Sequence, residues 1–522
     1  MGVFKTHRYI FLIFLFLTGL CHAQKSSQIK FQVLDHQSEF PVVYATVILK
    51  QAKVGVVSDD NGNFRIPGVY RADKDTLRIS CIGYHTALVP LADQKENEIN
   101  MIYLTVKVES LDEVNLLLDK KEKKMSAGRI VKEAIKRIPV NYPVKPFSYI
   151  GYYRDYQKVS DSSYLARMGL ENKNAYINLN EGVIQVFDAG FGTNRLTDKL
   201  NQTALYEFQS NKNFPVDTLL TIPYDNRKQK YLDGVIISPL GGNELNILHL
   251  CNALRNFDRM SFSFAQIFNR HFLGNHIFKL NKLLYLDDEP IYHINFISNE
   301  KRISPGYRAK GSILISKQNF GIYNLDYKLY DDHHDLLYRV NIAYKSIGDR
   351  YFLNYITFNN HFEVKGGDYF KINQVDYHYK NSSFQITFNE AIDSESIRLW
   401  KKQFKFQHDG EQLQILDVTL MKPNIINIRI SSSIEIDKAI FNHEINYEIR
   451  KLKDVKGRML NKQNIIRADQ FREIFVQKVF PEFSIDSTFD FVNKNFPLKA
   501  SKLNSFKGKE TYWINTPLKA SK

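Results

Sequence analysis

The sequence predicts a mainly β, multidomain protein: a β-sandwich at the N-terminus, a middle α+β domain shaped as a half-barrel-like antiparallel sheet with one to two helices, and a second sandwich beyond it. Three observations predict this. The 522 residues exceed what one ordinary hydrophobic core serves, so roughly two to four domains are expected. The 30 Tyr and 37 Phe favour pleated, half-buried surfaces, and 43% hydrophobic with 24% charged residues suits a globular chain. Short runs with apolar residues at every second position recur along the chain between turn residues, whereas helical periodicity shows in two places.

The chain opens on a leader. Lys5 and Arg8 precede the apolar run "YIFLIFLFLTGL", and "CHAQ" follows with Ala23 before the cut. That is the layout of a secretory signal peptide over residues 1–23. Lipid attachment at Cys21 is disfavoured because Leu20 is bulky for the position before such a cysteine, so a lipid-free mature chain is expected. No later run approaches the ~20 apolar residues of a membrane-spanning helix. Losing Lys5 and Arg8 lowers the formal charge from +15 to +13. The excess reads as a scattered basic surface, or else as attraction to lipopolysaccharide, acidic glycan or a membrane face. Nucleic acid is not expected as the partner of an exported chain. Cys81 alternates with Leu77 and Ile79, and Cys251 shares a helical stripe with Ile247, Leu250 and Leu254. Both read as buried small hydrophobes rather than as a disulfide or metal ligands.

Residues 24–108 form the first domain. "IKFQVL", "VVYATVIL", "LRISCIG", "TALVPL" and "INMIYLT" alternate in the manner of strands, and some seven short strands predict a small antiparallel sandwich. The loop "VVSDDNGNFRI", residues 56–66, invites a calcium reading. Counted from Asp59, oxygens stand at positions 3 and 5 (Asn61, Asn63), but position 6 is Phe64 and position 12 is no glutamate. Asn61-Gly62 is the pair a tight hairpin turn wants, so a turn is expected here. In order, "FPVVYATVILK", "GVVSDDNGNFRI" and "LRISCIGYH" resemble the carboxypeptidase-like regulatory domain, a transthyretin-like β-sandwich, over about residues 28 to 106. The resemblance implies an accessory module, since in zinc carboxypeptidases the peptidase is a separate domain. The same module precedes the plug of many TonB-dependent outer-membrane receptors, and "SLDEVNL" at 110–116 is similar to the segment that follows it there. The rest of the chain shows no repeated hairpins with lipid-facing bands, so such a receptor is not expected.

A charged linker, 109–125, leads to a helix capped by Ser126, with Ile130, Val131, Ala134, Ile135 and Ile138 on one face and Pro139 and Pro143 stopping it. The middle domain, 126–382, holds long aromatic strands such as "FSYIGYYRDYQKV" and "RYFLNYITFNNHFEV", interrupted by a second helix at about 243–256. Its run "IYHINFIS … GSILISKQNFGIYNLDYK" resembles the curled sheet of periplasmic lipoprotein carriers. It is also similar to an uncharacterised region that follows the regulatory-like sandwich in many Gram-negative cell-envelope proteins. Residues 383–465, from "FQITFNEAIDSESI" to "YEIRKLKDVKGRMLN", resemble a bacterial Ig-like domain, with Arg458 where that family places Asn. "REIFVQKVF" then reads as strand again, so the Ig-like unit is expected either after the middle domain or inserted within it. Residues 466–522 supply this returning strand and a tail in which "NFPLKASK" (495–502) recurs as "NTPLKASK" (515–522). The pair reads as extended arms packed on the body, or as strands added to a partner's sheet edge.

Catalytic patterns are scarce. "HDGE", His408 to Glu411, has the spacing of two carboxypeptidase zinc ligands, but only His443 follows as a third, and Asp409-Gly410 fits a hairpin turn. "DDHHD" makes His333, His334 and Asp335 weak metal candidates on a solvated hairpin loop. "GFGTNR" lacks the third glycine of a dinucleotide motif, with Arg195 in its place. "YYRD" (Tyr152, Tyr153, Arg154, Asp155) is the candidate for binding a phosphate or sugar acid, with a plain strand salt bridge as the alternative. No catalytic residue, resident metal or cofactor is expected. The reading is an exported protein of the periplasm or outer membrane that binds an envelope protein or glycan, as part of an outer-membrane complex or on its own. A lipid or lipoprotein carrier and an accessory or hydrolytic subunit are the alternatives.

Overall fold

The computed structural model describes residues 28–96, 98–107, 125–159, 176–194, 198–210, 244–257, 272–302, 306–366, 369–397, 403–431, 445–462, 464–482 and 488–505. The leader and linker expected from the sequence (up to residue 124), Arg195, His443 and the second "PLKASK" lie outside these residues. The architecture is mainly β, with several sheets and few helices.

Seven strands build the N-terminal sandwich. β1 (Gln28–Asp35) stands between β4 (Asn63–Pro67) and β7 (Ile99–Leu104), and the facing sheet takes the order β3 (Gly55–Val57), β2 (Thr46–Leu49), β5 (Thr76–Ser80), β6 (Ala87–Pro90). Period-two residues meet between the sheets: Ile29, Phe31 and Val33 face Val47, Leu77 and Ile79, with Phe31 and Phe64 stacked at 4.7 Å. Two expectations need correction. β1 and β7 run parallel, because the first and last strands are joined through the whole module and not by a hairpin. The 56–66 loop is a turn, but β3 and β4 belong to different sheets, so it crosses the sandwich. Asp59 Oδ1 accepts the N–H groups of Asn61 (2.9 Å) and Asn63 (2.8 Å), and Gly62 alone of the Asn-Gly pair has positive φ, +73°. Cys81 lies just past β5 and is half-buried, while Cys251 is buried; both are free thiols.

The middle domain is a ten-stranded antiparallel sheet. Its strands are β8 (Phe147–Val159), β9 (Tyr176–Asp188), β10 (Gln202–Ser210), β11 (His276–Leu286), β12 (Glu289–Ser298), β13 (Tyr307–Ser316), β14 (Ile322–Asp331), β15 (Leu336–Ile347), β16 (Arg350–Gly366) and a late arrival, Asn464–Phe480. One face carries α1 (Ala127–Lys136) and α2 (Leu245–Cys251), whose Ile130, Val131, Ala134, Leu248 and Cys251 join the largest apolar cluster. Ser126 sits at the α1 cap position in extended conformation, but its side chain makes no capping bond. Pro139 does not end helical structure: it occupies the first turn of a new one-turn helix, Ile138–Asn141, where a missing N–H costs nothing. α2 stops at Cys251, short of 256, because Asn252 leaves helical geometry and uses its Oδ1 to accept Arg255 N–H and Tyr344 O–H.

Between β16 and residue 464 the chain builds another sandwich. β17 (Ile372–His378), β18 (Ser383–Phe388), β22 (Ile425–Ile430) and β21 (Ile415–Lys422) form one sheet. β19 (Phe404–His408), β20 (Glu411–Gln412) and β23 (Ile445–Ile449) form the other, around Phe384, Phe388, Phe406 and Ile428. The unit starts ahead of residue 383, since β17 pairs with β18. The chain then returns as β24 (Asn464–Phe480), which lies between β8 and β16 at the centre of the ten-stranded sheet.

Candidate functional site

The four "YYRD" residues lie on β8 and are essentially inaccessible, each at most 1% exposed. A surface recognition site for a phosphate or sugar acid is therefore not what they form. β24 pairs with β8 so that Arg154 stands opposite Glu473 and Asp155 opposite Arg472. Each position thus carries opposite charges across one rung, and the alternation of a strand sends the two pairs to opposite faces of the sheet.

The outer face belongs to Tyr152, Arg154 and Tyr156. Arg154 Nε donates to Glu473 Oε2, and its guanidinium lies over the rings of Tyr156 (4.9 Å) and Phe475 (5.4 Å). Tyr152 donates to Glu181 at 2.8 Å. Burial opposes charge on Arg154, yet Glu473, together with Tyr156, Tyr152 and Asp59, more than compensates and holds its pKa well above the usual value. Burial raises Glu473, against the pull of Arg154, and also raises Asp59. Both terminal nitrogens of Arg154 and Oε1 of Glu473 are buried without a hydrogen-bond partner. The sandwich covers this face. Val57 and Tyr44 pack with Tyr152, Ala343, Tyr355 and Phe475, Tyr44 stacks on Tyr355 at 4.7 Å, and Lys158 Nζ stands 3.9 Å from Asp60. At the other end of the interface Arg78, Thr86 and Lys107 all converge on Asp287 in the β11–β12 turn.

The inner face holds Tyr153 and Asp155. Arg472 Nε lies 3.0 Å from Asp155 Oδ2, which also accepts from Tyr153 O–H at 3.3 Å. Burial pushes the Tyr153 hydroxyl well up, reinforced by the charges of Asp155 and Glu244. Glu244, 5% exposed, accepts the backbone N–H of Leu498 at 2.8 Å. The first copy of the repeat is seated there. Leu498 is fully buried in the main cluster, Asn246 Nδ2 donates to Lys494 O at 2.9 Å, and residues 498–500 make one 3-10 turn.

The flanks of this segment lie along β10, the last strand of the described sheet on that side. Phe491 bridges Ala204, Val492 N–H donates to Thr203 O (2.8 Å), and Asn504 N–H to Leu205 O (2.7 Å). Asn504 also clasps the backbone of Asp490, donating to its carbonyl at 2.8 Å and accepting its N–H at 2.9 Å. Phe489 and Phe491 pack on Phe187 at 5.7 and 5.8 Å. An extended segment thus occupies backbone groups that an edge strand otherwise presents to solvent. Sequence reasoning found the repeat and "YYRD" separately. It missed Glu244, Arg472 and Glu473, whose only signal was charge inside otherwise apolar runs.

A small cavity of about 20 Å³, space for one water, opens on the inner face beside Arg255 and His249. Arg255 Nε lies 3.0 Å from both oxygens of Asp188, and its Nη1 and Nη2 donate to Thr193 O and Oγ1. Thr193 belongs to the "GFGTNR" stretch, whose described residues, 190–194, form the turn after β9. The metal candidates fall elsewhere. His333, His334 and Asp335 stand exposed on the β14–β15 turn, where His334 Nε2 meets Arg308 at 3.2 Å and Asp335 N–H donates to Asp331. A guanidinium on that nitrogen competes with metal binding. "HDGE" is a hairpin turn, with Asp409 (+49°) and Gly410 (+84°) both at positive φ. Among the described residues no group of three or more His, Cys, Asp or Glu side chains could hold a metal ion. None of the described helices is long and apolar enough to cross a membrane.

Residues 29–116 match the family model of the CarboxypepD_reg-like domain, which is the resemblance the three ordered motifs carry. No curated protein matches the chain. One similar solved structure is a putative outer membrane lipoprotein-sorting protein domain from Vibrio parahaemolyticus, at 12% identity and TM-score 0.19, over 45% of this chain and 85% of that one. Another is a DUF1329 family protein from Desulfovibrio piger, at 9% identity and TM-score 0.19, over 45% of this chain and 87% of that one. Scores this low fix neither fold nor function.

Proposed function

We propose that the chain is an exported, non-catalytic cell-envelope protein that binds a protein or glycan partner through its β-domains, and that the favoured partner is an extended peptide laid on the edge of the ten-stranded sheet. One observation carries the choice of peptide: the seating of residues 489–505 along β10, with backbone bonds at Thr203 and Leu205, a leucine in the core and Glu244 on the leucine's N–H. Backbone pairing supplies affinity and the alternate side-chain slots supply selectivity, the physics of strand addition. The leader at 1–23 and the regulatory-like sandwich support an envelope location. The buried ion pairs between β8 and β24 and Glu244 under the tail support a rigid scaffold behind that edge. The full chain carrying both Leu498→Asp and Leu518→Asp is expected to bind a labelled peptide of residues 489–505 saturably, and the wild-type chain to fractionate with the cell envelope. Absence of peptide binding by a folded variant would overturn the peptide reading, and a cytoplasmic location would overturn the envelope one.

A second reading, a carrier of lipid or lipidated ligand, draws on the long sheet with α1 and α2 against one face. Lipid extracted in stoichiometric amount from the purified chain would favour it. A lipid-free chain that still binds peptide would remove it.

A further inference from the structure

The two copies of the C-terminal repeat are identical at seven of eight positions and differ only at 496, Phe in the first copy, against Thr516 in the second. In the seated copy that one variable side chain is exposed, at 57%, while Leu498, kept as Leu518, is fully buried. The leucine that the seat buries is kept in the second copy, as are Asn495, Lys499, Ala500 and Lys502, which are exposed in the first. Pro497 enters the turn with φ −56°, Ser501 N–H closes on Leu498 O, and Glu244 takes a backbone N–H that any residue supplies. The approach differs. Asn493, whose Oδ1 accepts Asn495 N–H at 2.9 Å, has no counterpart at Trp513, and the Lys502–Asp490 contact, at 3.6 Å, lies on the surface.

We propose that the Leu498 seat is an exchange site with two occupants, and that residues 515–522 of the same chain take it when residues 495–502 leave. This rests on the peptide-binding reading of the β10 edge. The tail then has two registers, offset by the repeat spacing. Seating the second copy lengthens the loop behind β24, a modest cost because closure entropy grows only with the logarithm of length. It also strips Phe489, Phe491 and Val492 from β10, which leaves the first register as the ground state and frees the edge of β10 in the second. A partner's strand gains access to the edge in that register while the core stays plugged by leucine.

Thermal unfolding of four full-length chains tests this: wild type, Leu498→Asp, Leu518→Asp and the double variant. Leu518→Asp is expected to melt with wild type. Leu498→Asp should lose only a few degrees, and the double variant should fall below it by roughly 5 °C or more, since a buried leucine then has no replacement. A double variant that melts with Leu498→Asp overturns the proposal. Should Leu498→Asp fail to fold, the series runs in Asn504→Ala, which loosens the first copy without touching the core. Synthetic peptides of residues 489–505 and 511–522 separate the levels of failure. If both raise the melting temperature of the double variant, the exchange site stands. If only the first does, the exchange fails and the peptide-binding edge survives; if neither does, both fail. Concentration-dependent dimers of Leu498→Asp, joined through Leu518, would place the second copy on a neighbouring chain and overturn the same-chain assignment.

Discussion

Replacing Arg154 alone is expected to be among the most damaging single changes on the outer face, and replacing its partner as well to undo most of the harm. Arg154 and Glu473 side chains are each 1% exposed and sit under the sandwich. Arg154→Met leaves the Glu473 carboxylate buried near Asp59 and Asp60 with no cation on it. Breaking a buried pair in this way costs about 3–5 kcal/mol, whereas exchanging both partners for apolar side chains of similar volume is near neutral. Arg154→Met and Arg154→Met/Glu473→Met should therefore differ by about 3 kcal/mol in urea denaturation. The pH dependence has a definite sign. In the single variant Glu473 loses its cation and its folded-state pKa moves further above that of the unfolded chain, so the folded state holds the extra proton. The loss should then deepen as pH rises from about 4.5 through the raised folded value, and the variant should do better at pH 5 than at pH 8. Equal stability of the single and double variants, or a loss that does not change with pH, would refute the account of this pair.

Four further outcomes follow from the same structure. His276, buried between Phe272 O and the Tyr327 hydroxyl, has its pKa lowered to about 4 by burial, so the chain should lose up to about 3 kcal/mol as pH falls from 6.5 towards 4, and His276→Gln should flatten that limb in melting curves. Lys345 is lowered to about 8 by burial; Lys345→Met should stabilise the chain at pH 7 by at most about 3 kcal/mol, with the gain shrinking above pH 8 and gone near 10.5, and a constant gain would show that the charge is not the cause. Asp287→Ala removes half-exposed contacts and should cost under about 1 kcal/mol, while Tyr44→Ala, which empties the stack on Tyr355, should cost about 3 kcal/mol or more and speed proteolysis between the sandwich and the body. Gly62→Ala should cost roughly 1–3 kcal/mol, because its φ is +73° and a Cβ would stand 2.4 Å from Val33 O; a neutral result in chemical denaturation would show that the loop can move aside.

Local pattern carried the elements well and their partners poorly. The alternation in "IKFQVL" and "VVYATVIL" marks β1 and β2, and Asp409-Gly410 announces its turn, because side-chain period and positive φ are properties of a few adjacent residues. The 56–66 loop was legible as a turn but not as a crossing between sheets, since the same Asn-Gly pair serves either purpose. "YYRD" looked like a recognition motif because arginine beside tyrosines can be one. What decides its role is Arg472-Glu473, more than three hundred residues away, arriving in the opposite direction on the next strand. Charge in an apolar strand was the visible clue that a counter-charge had to exist. Its identity depended on which strand the sheet would accept as neighbour, which no local signal encodes. The repeat was visible by inspection, while its seat, assembled from Glu244, Asn246 and the β10 edge, was not.

The position of β24 has a consequence for the order of events after synthesis. Every neighbour of the sheet's central gap is made early, yet the strand that fills it emerges only after the whole inserted sandwich. Until residue 480 has emerged, β8 and β16 present unpaired edges and Arg154 and Asp155 lack their counter-ions. The incomplete chain must therefore be shielded for that interval, and any truncation upstream of residue 464 should yield an insoluble product instead of a smaller working protein.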